Sequence, residues 1–177
     1  MNDKVNPDLP PLTLILGGQR SGKSAYAEGL IGPGREALYL ATGEALDEEM
    51  SERVARHRAR RGDNWSTVEE PLDPAAALLR NDRAGRPVLI DSLAMWVANL
   101  LGRERDAEAA IISLVRALEK VTSPVVVVSD EAGLGVVPDN ALARRFLDRL
   151  GEANQAVAAR ADRVVFVAAG LPMVLKG

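Results

Sequence analysis

Gly17-Gly18-Gln19-Arg20-Ser21-Gly22-Lys23-Ser24 fits the pattern G-x-x-x-x-G-K-[ST]. An apolar run over residues 12–16 leads into it, and a helical stretch over residues 23–31 leads out. In that setting the glycines admit positive φ and let backbone N–H groups approach phosphate oxygens. The first turn of the helix adds unpaired N–H groups and the positive end of its dipole. Lys23 is placed to reach β/γ-phosphate oxygens and the Ser24 hydroxyl to ligate Mg2+. The competing reading is a glycine-rich turn with no ligand, and the full pattern between strand and helix argues against it. Mg2+ at such a loop needs a carboxylate. Asp91 ends the run Val88-Leu89-Ile90, the usual place for an acid that holds the metal directly or through water. The same residue also suits a helix cap before residues 93–101.

His57 is the single histidine of the chain. It lies in a helix expected over residues 47–61, with Asp47, Glu48 and Glu49 at the end where acids complement the dipole. Met50, Val54 and His57 follow i, i+4, i+7 spacing, and Arg53, Arg56 and Arg60 form the neighbouring stripe. On spacing alone two readings stay open. One is a solvated basic helix with a packed histidine. The other is a triphosphate grip around a reactive imidazole. Arginine's planar fork bonds two phosphate oxygens at once. Nearby guanidinium charge favours the neutral imidazole, the form able to attack phosphorus.

These groups need a frame to hold them. The chain has 177 residues, 47% apolar and 27% charged, which is ordinary globular composition. No apolar run approaches the roughly 18–20 residues of a membrane span, so no transmembrane segment is expected. Cysteine is absent, which removes disulfides and thiolate chemistry and favours a cytoplasmic location. A net charge of −3 argues against a general basic surface for nucleic acid, and 3% aromatics against base-stacking platforms. Residues 1–11 are polar and proline-rich and read as a flexible leader without the apolar core of a signal peptide, leaving 12–177 as one α/β domain. Apolar runs at 12–16, 37–41, 88–90, 125–128 and 164–167 lack polar alternation, as strands buried on both faces do. Helical stretches at 23–31, 47–61, 74–80, 93–101, 107–121 and 140–161 separate them. That alternation implies a mostly parallel sheet with helices on both faces. Ligands then bind beyond the carboxyl ends of the strands. Thr42, Gly43 and Glu44 follow the second run at that end.

With these motifs in place, the chain resembles the bifunctional adenosylcobinamide kinase / adenosylcobinamide-phosphate guanylyltransferases of cobalamin biosynthesis over about residues 12–177. The resemblance rests on ordered blocks: the phosphate loop; Tyr39-Leu40-Ala41-Thr42; Asp47-Glu48-Glu49-Met50 with Arg53 and His57-Arg58; and Trp65-Ser66-Thr67-Val68-Glu69. Ile90-Asp91-Ser92-Leu93, Glu131-Ala132-Gly133-Leu134-Gly135-Val136-Val137-Pro138 and Gly170-Leu171-Pro172 follow. It implies a RecA-like P-loop NTPase fold and two reactions on one chain. ATP or GTP phosphorylates adenosylcobinamide. GTP then transfers GMP to adenosylcobinamide phosphate through a guanylylated histidine, giving adenosylcobinamide-GDP and pyrophosphate. It makes His57 the nucleophile. It places nucleotide contacts at Gly17, Gly18, Gln19, Arg20, Ser21, Gly22, Lys23 and Ser24; at Thr42, Gly43 and Glu44; at Arg58, Ala59, Arg60 and Arg61; and at Glu69 and Asp91. It also implies a homo-oligomer, a trimer. Two positions depart from the family pattern: Ala94, where threonine is common, and Asp130, where asparagine is common.

Several features keep two readings. A small-molecule kinase without nucleotidyl transfer, and a nucleotide-responsive binding module, remain alternative functions. Residues 133–138 fit a ligand-facing lid or a tight turn before the next helix. Arg144 fits a phosphate contact or an i+4 ion pair with Asp148. Trp65 and Trp96 read as core or interface anchors rather than corrin-stacking groups. Asn154-Gln155 fits a subunit contact or a core contact.

Overall fold

The computed structural model describes residues 9–44 and 62–177. The β-rich runs form strands β1 (Leu12–Gly17), β2 (Ala37–Ala41), β4 (Val88–Asp91), β5 (Val125–Asp130) and β6 (Arg163–Ala168), joined by β3 (Trp65–Glu69) and β7 (Leu171–Lys176). The helices are α1 (Lys23–Ile31), α2 (Pro74–Arg80), α3 (Leu93–Gly102), α4 (Ala107–Leu118) and α5 (Ala141–Arg160). The sheet order is β3-β2-β4-β5-β1-β6-β7, parallel throughout except for β7, which runs antiparallel to β6. The helix expected over residues 47–61 lies outside the described residues.

Strand alternation sorts the core into two layers. Leu12, Leu14 and Leu16 of β1, Leu38 and Leu40 of β2, Val88 and Ile90 of β4, and Val125 and Val127 of β5 pack against α2–α5. The intervening Ile15, Tyr39, Leu89, Val126 and Val128 pack against Ala27 and Ile31 of α1. The sheet is therefore covered on both faces, as the alternation of runs predicts.

Among the described helices four start on a side-chain cap: Asp73 accepts from Ala76, Ser92 from Met95, Asp106 from Ala109, and Asn140 from Leu142 and Ala143. The cap of α3 is Ser92, not Asp91, which leaves the Asp91 carboxylate out of helix capping. At the opposite end of the sheet, Asp82 accepts from backbone and hydroxyl donors of Thr122 and Ser123. Burial pushes this carboxyl up, but those hydrogen bonds outweigh it and hold Asp82 below its ordinary value.

Two strands lie outside the five buried apolar runs. β3 is an edge strand with polar Ser66, Thr67 and Glu69, and pairing with β2 makes it a strand. β7 is exposed along its whole length and contains Pro172, tolerated at an edge. A two-residue turn joins it to β6, with Ala169 at φ 51 and Gly170 at φ 79, the positive-φ pair of a tight hairpin.

Candidate active site

Register lines up the strand ends that matter. Gly17 stands level with Asp130, and Asp91 level with both Ala41 and Val128. Period-two alternation then fixes which way these ends face. Asp91 continues the stripe of Leu89, and Asp130 that of Val126 and Val128, all on the α1 side of the sheet. Both acids thus project toward the face that carries the phosphate loop.

The loop is tightly shaped. A Cβ added at Gly17 would come within 2.6 Å of the Val167 carbonyl oxygen and 2.5 Å of Ser21 Oγ, so the position accepts glycine alone. Gly22 sits at φ 94 and Arg20 at φ 56, both left-handed. The β6–β7 turn buttresses the loop: Gly170 N donates to Ser21 O at 2.8 Å. Among the described helices α1 has no side-chain cap, and its first turn holds no acid. Its leading N–H groups and dipole are left for an anion.

Lys23 Nζ donates to Gly18 O at 3.1 Å and meets Asp130 Oδ1 at 2.5 Å. Ser24, the second residue of α1, is partly buried. Tyr39 Oη donates to Asp91 Oδ2 at 3.1 Å. The Asp130 backbone is also held: Asn154 Nδ2 donates to its carbonyl at 3.0 Å, and Ser129 Oγ donates to Asn154 Oδ1 at 2.6 Å. Asn154 is thus a core residue that steadies the end of β5, while Gln155 is exposed.

The ends of β2 and β4 are locked by Thr42. Its hydroxyl donates to Ser92 O at 2.7 Å and accepts from Ser92 N at 2.8 Å. Asn99 Nδ2 donates to the carbonyls of Thr42, at 2.7 Å, and Pro71, at 3.2 Å. Asn99→Ala removes the donor from the buried Thr42 carbonyl and the partly buried Pro71 carbonyl, an expected loss of about 1–3 kcal/mol. Chemical denaturation checks this, and an unchanged midpoint would contradict the accounting. Arg103 Nη2 donates to both carboxylate oxygens of Glu44 at 2.8 Å, and that bonding raises the guanidinium above its ordinary value. Glu69 ends β3 at the sheet edge, exposed. With strands about 4.8 Å apart, β3 lies some four spacings from β1, about 19 Å, so Glu69 flanks the cradle at a distance.

His57, Arg58, Ala59, Arg60 and Arg61 lie outside the described residues. Gly43 is partly buried, and Gln19 and Arg20 are exposed beside the loop. Arg144 donates to the Pro138 and Asp139 carbonyls and so closes its own loop rather than pairing with Asp148. Trp96 is buried with its indole donating to Leu72 O, and Trp65 packs edge-on against Tyr39. The residues that spacing did not single out are Tyr39, Asn99 and Arg103, each of which holds a group at the site. Among the described residues no helix is long and apolar enough to cross a membrane.

The family model described as cobinamide kinase / cobinamide phosphate guanyltransferase matches residues 13–175. The bifunctional adenosylcobalamin biosynthesis protein CobP of Pseudomonas aeruginosa is 47% identical, over 93% of this chain and 96% of its own length. The proteins named CobU from Escherichia coli and Salmonella typhimurium are 36% and 38% identical, each over 93% of this chain and 99% of theirs. Among solved structures, a Pyrococcus horikoshii protein aligns with a TM-score of 0.54 at 6% identity, over all of this chain and 93% of that one. The P4 protein of bacteriophage phi6, in complex with ADP, aligns with a TM-score of 0.50 at 18% identity, over 91% of this chain and 52% of that one. These likenesses bear on fold alone, and the fold is a RecA-like P-loop fold.

Proposed function

The chain belongs to the cobinamide kinase / cobinamide phosphate guanyltransferase family, and from that premise we propose that it phosphorylates adenosylcobinamide and then guanylylates the product. In the first reaction the acceptor hydroxyl oxygen attacks the γ-phosphorus of ATP or GTP, the bond to the β-phosphate oxygen breaks, and the hydroxyl proton is released. In the second a His57 ring nitrogen attacks the α-phosphorus of GTP and pyrophosphate leaves. A phosphate oxygen of adenosylcobinamide phosphate then attacks the same phosphorus, the P–N bond breaks, and adenosylcobinamide-GDP forms. A covalent histidine intermediate splits one displacement into two.

One observation carries the reading: Lys23 stands between Gly18 O and Asp130, beside the uncapped start of α1. Phosphoryl transfer asks for positioning and charge neutralisation, and this cradle offers both. The proposed nucleotide contacts are residues 17–24, Thr42, Gly43, Glu44, Arg58, Ala59, Arg60, Arg61, Glu69 and Asp91. The Thr42 side chain is committed to Ser92, so we assign it the holding of the β4–α3 turn. Ser24 and Asp91 offer a hydroxyl and a carboxylate, hard oxygen donors that fit Mg2+. Bound there, Mg2+ would neutralise triphosphate oxygens. The assembly proposed is a homo-oligomer, a trimer by family resemblance. The exposed Leu171, Met173, Val174 and Leu175 of edge strand β7 support a contact between copies.

Adenosylcobinamide supplied with ATP, GTP and Mg2+ tests the proposal, with products identified by mass. The phosphate and then the GDP derivative are expected. Phosphate alone would leave a small-molecule kinase, and no turnover a nucleotide-binding module.

A further inference from the structure

Lys23 is largely enclosed: its side chain is 11% exposed and that of Asp130 31%. An ammonium so far out of water needs a close counter-charge. Asp130 supplies it at 2.5 Å, and the carboxylate is not free to drift. Glu131 N donates to Gly17 O at 3.1 Å, Asn154 holds the Asp130 carbonyl, and β5 pairs with β1 up to this residue. Gly18 O takes a second Nζ proton. The lysine expected to meet triphosphate oxygens is therefore already paired with an anion built into the fold.

We propose that Asp130 is a displaceable counter-ion of Lys23 that sets how tightly the site holds triphosphate. Two anions compete for one ammonium: the Asp130 carboxylate in the empty cradle and the phosphate oxygens in the filled one. Asp130 keeps the empty site compensated and weakens nucleotide binding by the strength of the pair that must be broken. It is a positioning residue, acting through Lys23. The inference takes from the proposed function only that Lys23 meets the triphosphate, so a binding measurement without corrinoid tests it independently of either reaction.

The experiment titrates α,β-methylene-GTP, whose α–β bridge cannot be cleaved, with Mg2+, and inorganic tripolyphosphate, into the full-length protein and its variants. Asp130→Asn keeps the shape and removes the charge, and Asp130→Ser serves if the asparagine variant does not fold. The expected Kd falls about threefold to tenfold, the range for releasing a partly exposed ion pair. Asp130→Glu, which retains the carboxylate, is expected to stay near wild type. The ligand-free unfolding midpoint should fall while the ligand-induced rise grows, opposite signs that a purely structural role would not produce. In a Lys23→Ala background the same substitution should leave Kd unchanged. An unchanged or raised Kd in Asp130→Asn would overturn the proposal. So would equal tightening without Lys23, because the carboxylate would then act on the phosphate directly.

Discussion

His57→Ala is expected to keep phosphorylating adenosylcobinamide while its transfer of GMP falls by about a thousandfold or more, the scale seen when a covalent nucleophile is removed. The asymmetry follows from where each reaction breaks the triphosphate. Attack at the γ-phosphorus needs the acceptor hydroxyl, Lys23 and the loop amides, with no covalent help from the protein. Attack at the α-phosphorus, in this account, begins on the imidazole. No other histidine in the chain can replace it. Separate time courses for the phosphate and the GDP derivative, resolved by mass, measure the two rates. An equal fall in both would make His57 a residue of binding or folding instead.

Lys23→Ala is expected to slow triphosphate chemistry by about a hundredfold to a thousandfold, the cost of removing one preorganised charge from developing negative charge. The loss should reach both reactions, since each starts from the same cradled triphosphate. It should fall mainly on kcat where the ammonium gains contact in the transition state, and on KM where it grips the ground state equally. The substitution also leaves Asp130 without its ammonium. Ligand-free stability is therefore a necessary companion measurement, and a folded variant with undiminished kcat/KM would remove Lys23 from the mechanism.

Much of this arrangement is legible in the residues themselves. The phosphate loop reads directly, because glycine spacing, lysine and hydroxyl are all local. Asp91 reads as a strand-end acid, and alternation from Leu89 even predicts the face it takes. Asp130 is harder. The apolar run stops at Val128, while pairing with β1 carries β5 two residues further, through Ser129. Backbone pairing rather than side-chain hydrophobicity makes those last residues a strand, and it delivers the carboxylate to Lys23. β3 escapes for the related reason that an edge strand need not look buried, and β7 because Pro172 interrupts its apolar stretch directly after the positive-φ turn. Asn99 and Asn154 are long-range partners of backbone carbonyls, and local spacing carries no sign of such bonds. Ser92 displaces Asp91 as the α3 cap because the residue next to the first helical turn is the one whose oxygen reaches the Met95 N–H.

The most direct test of the central claim is incubation of the full-length protein with α-labelled GTP and Mg2+, without corrinoid, followed by peptide mapping. Acid-labile, alkali-stable label carrying GMP is expected on the peptide that contains His57. Adenosylcobinamide phosphate is expected to discharge that label. Label-free protein that still yields adenosylcobinamide-GDP would contradict it, and the transfer would then be a single displacement at the α-phosphorus.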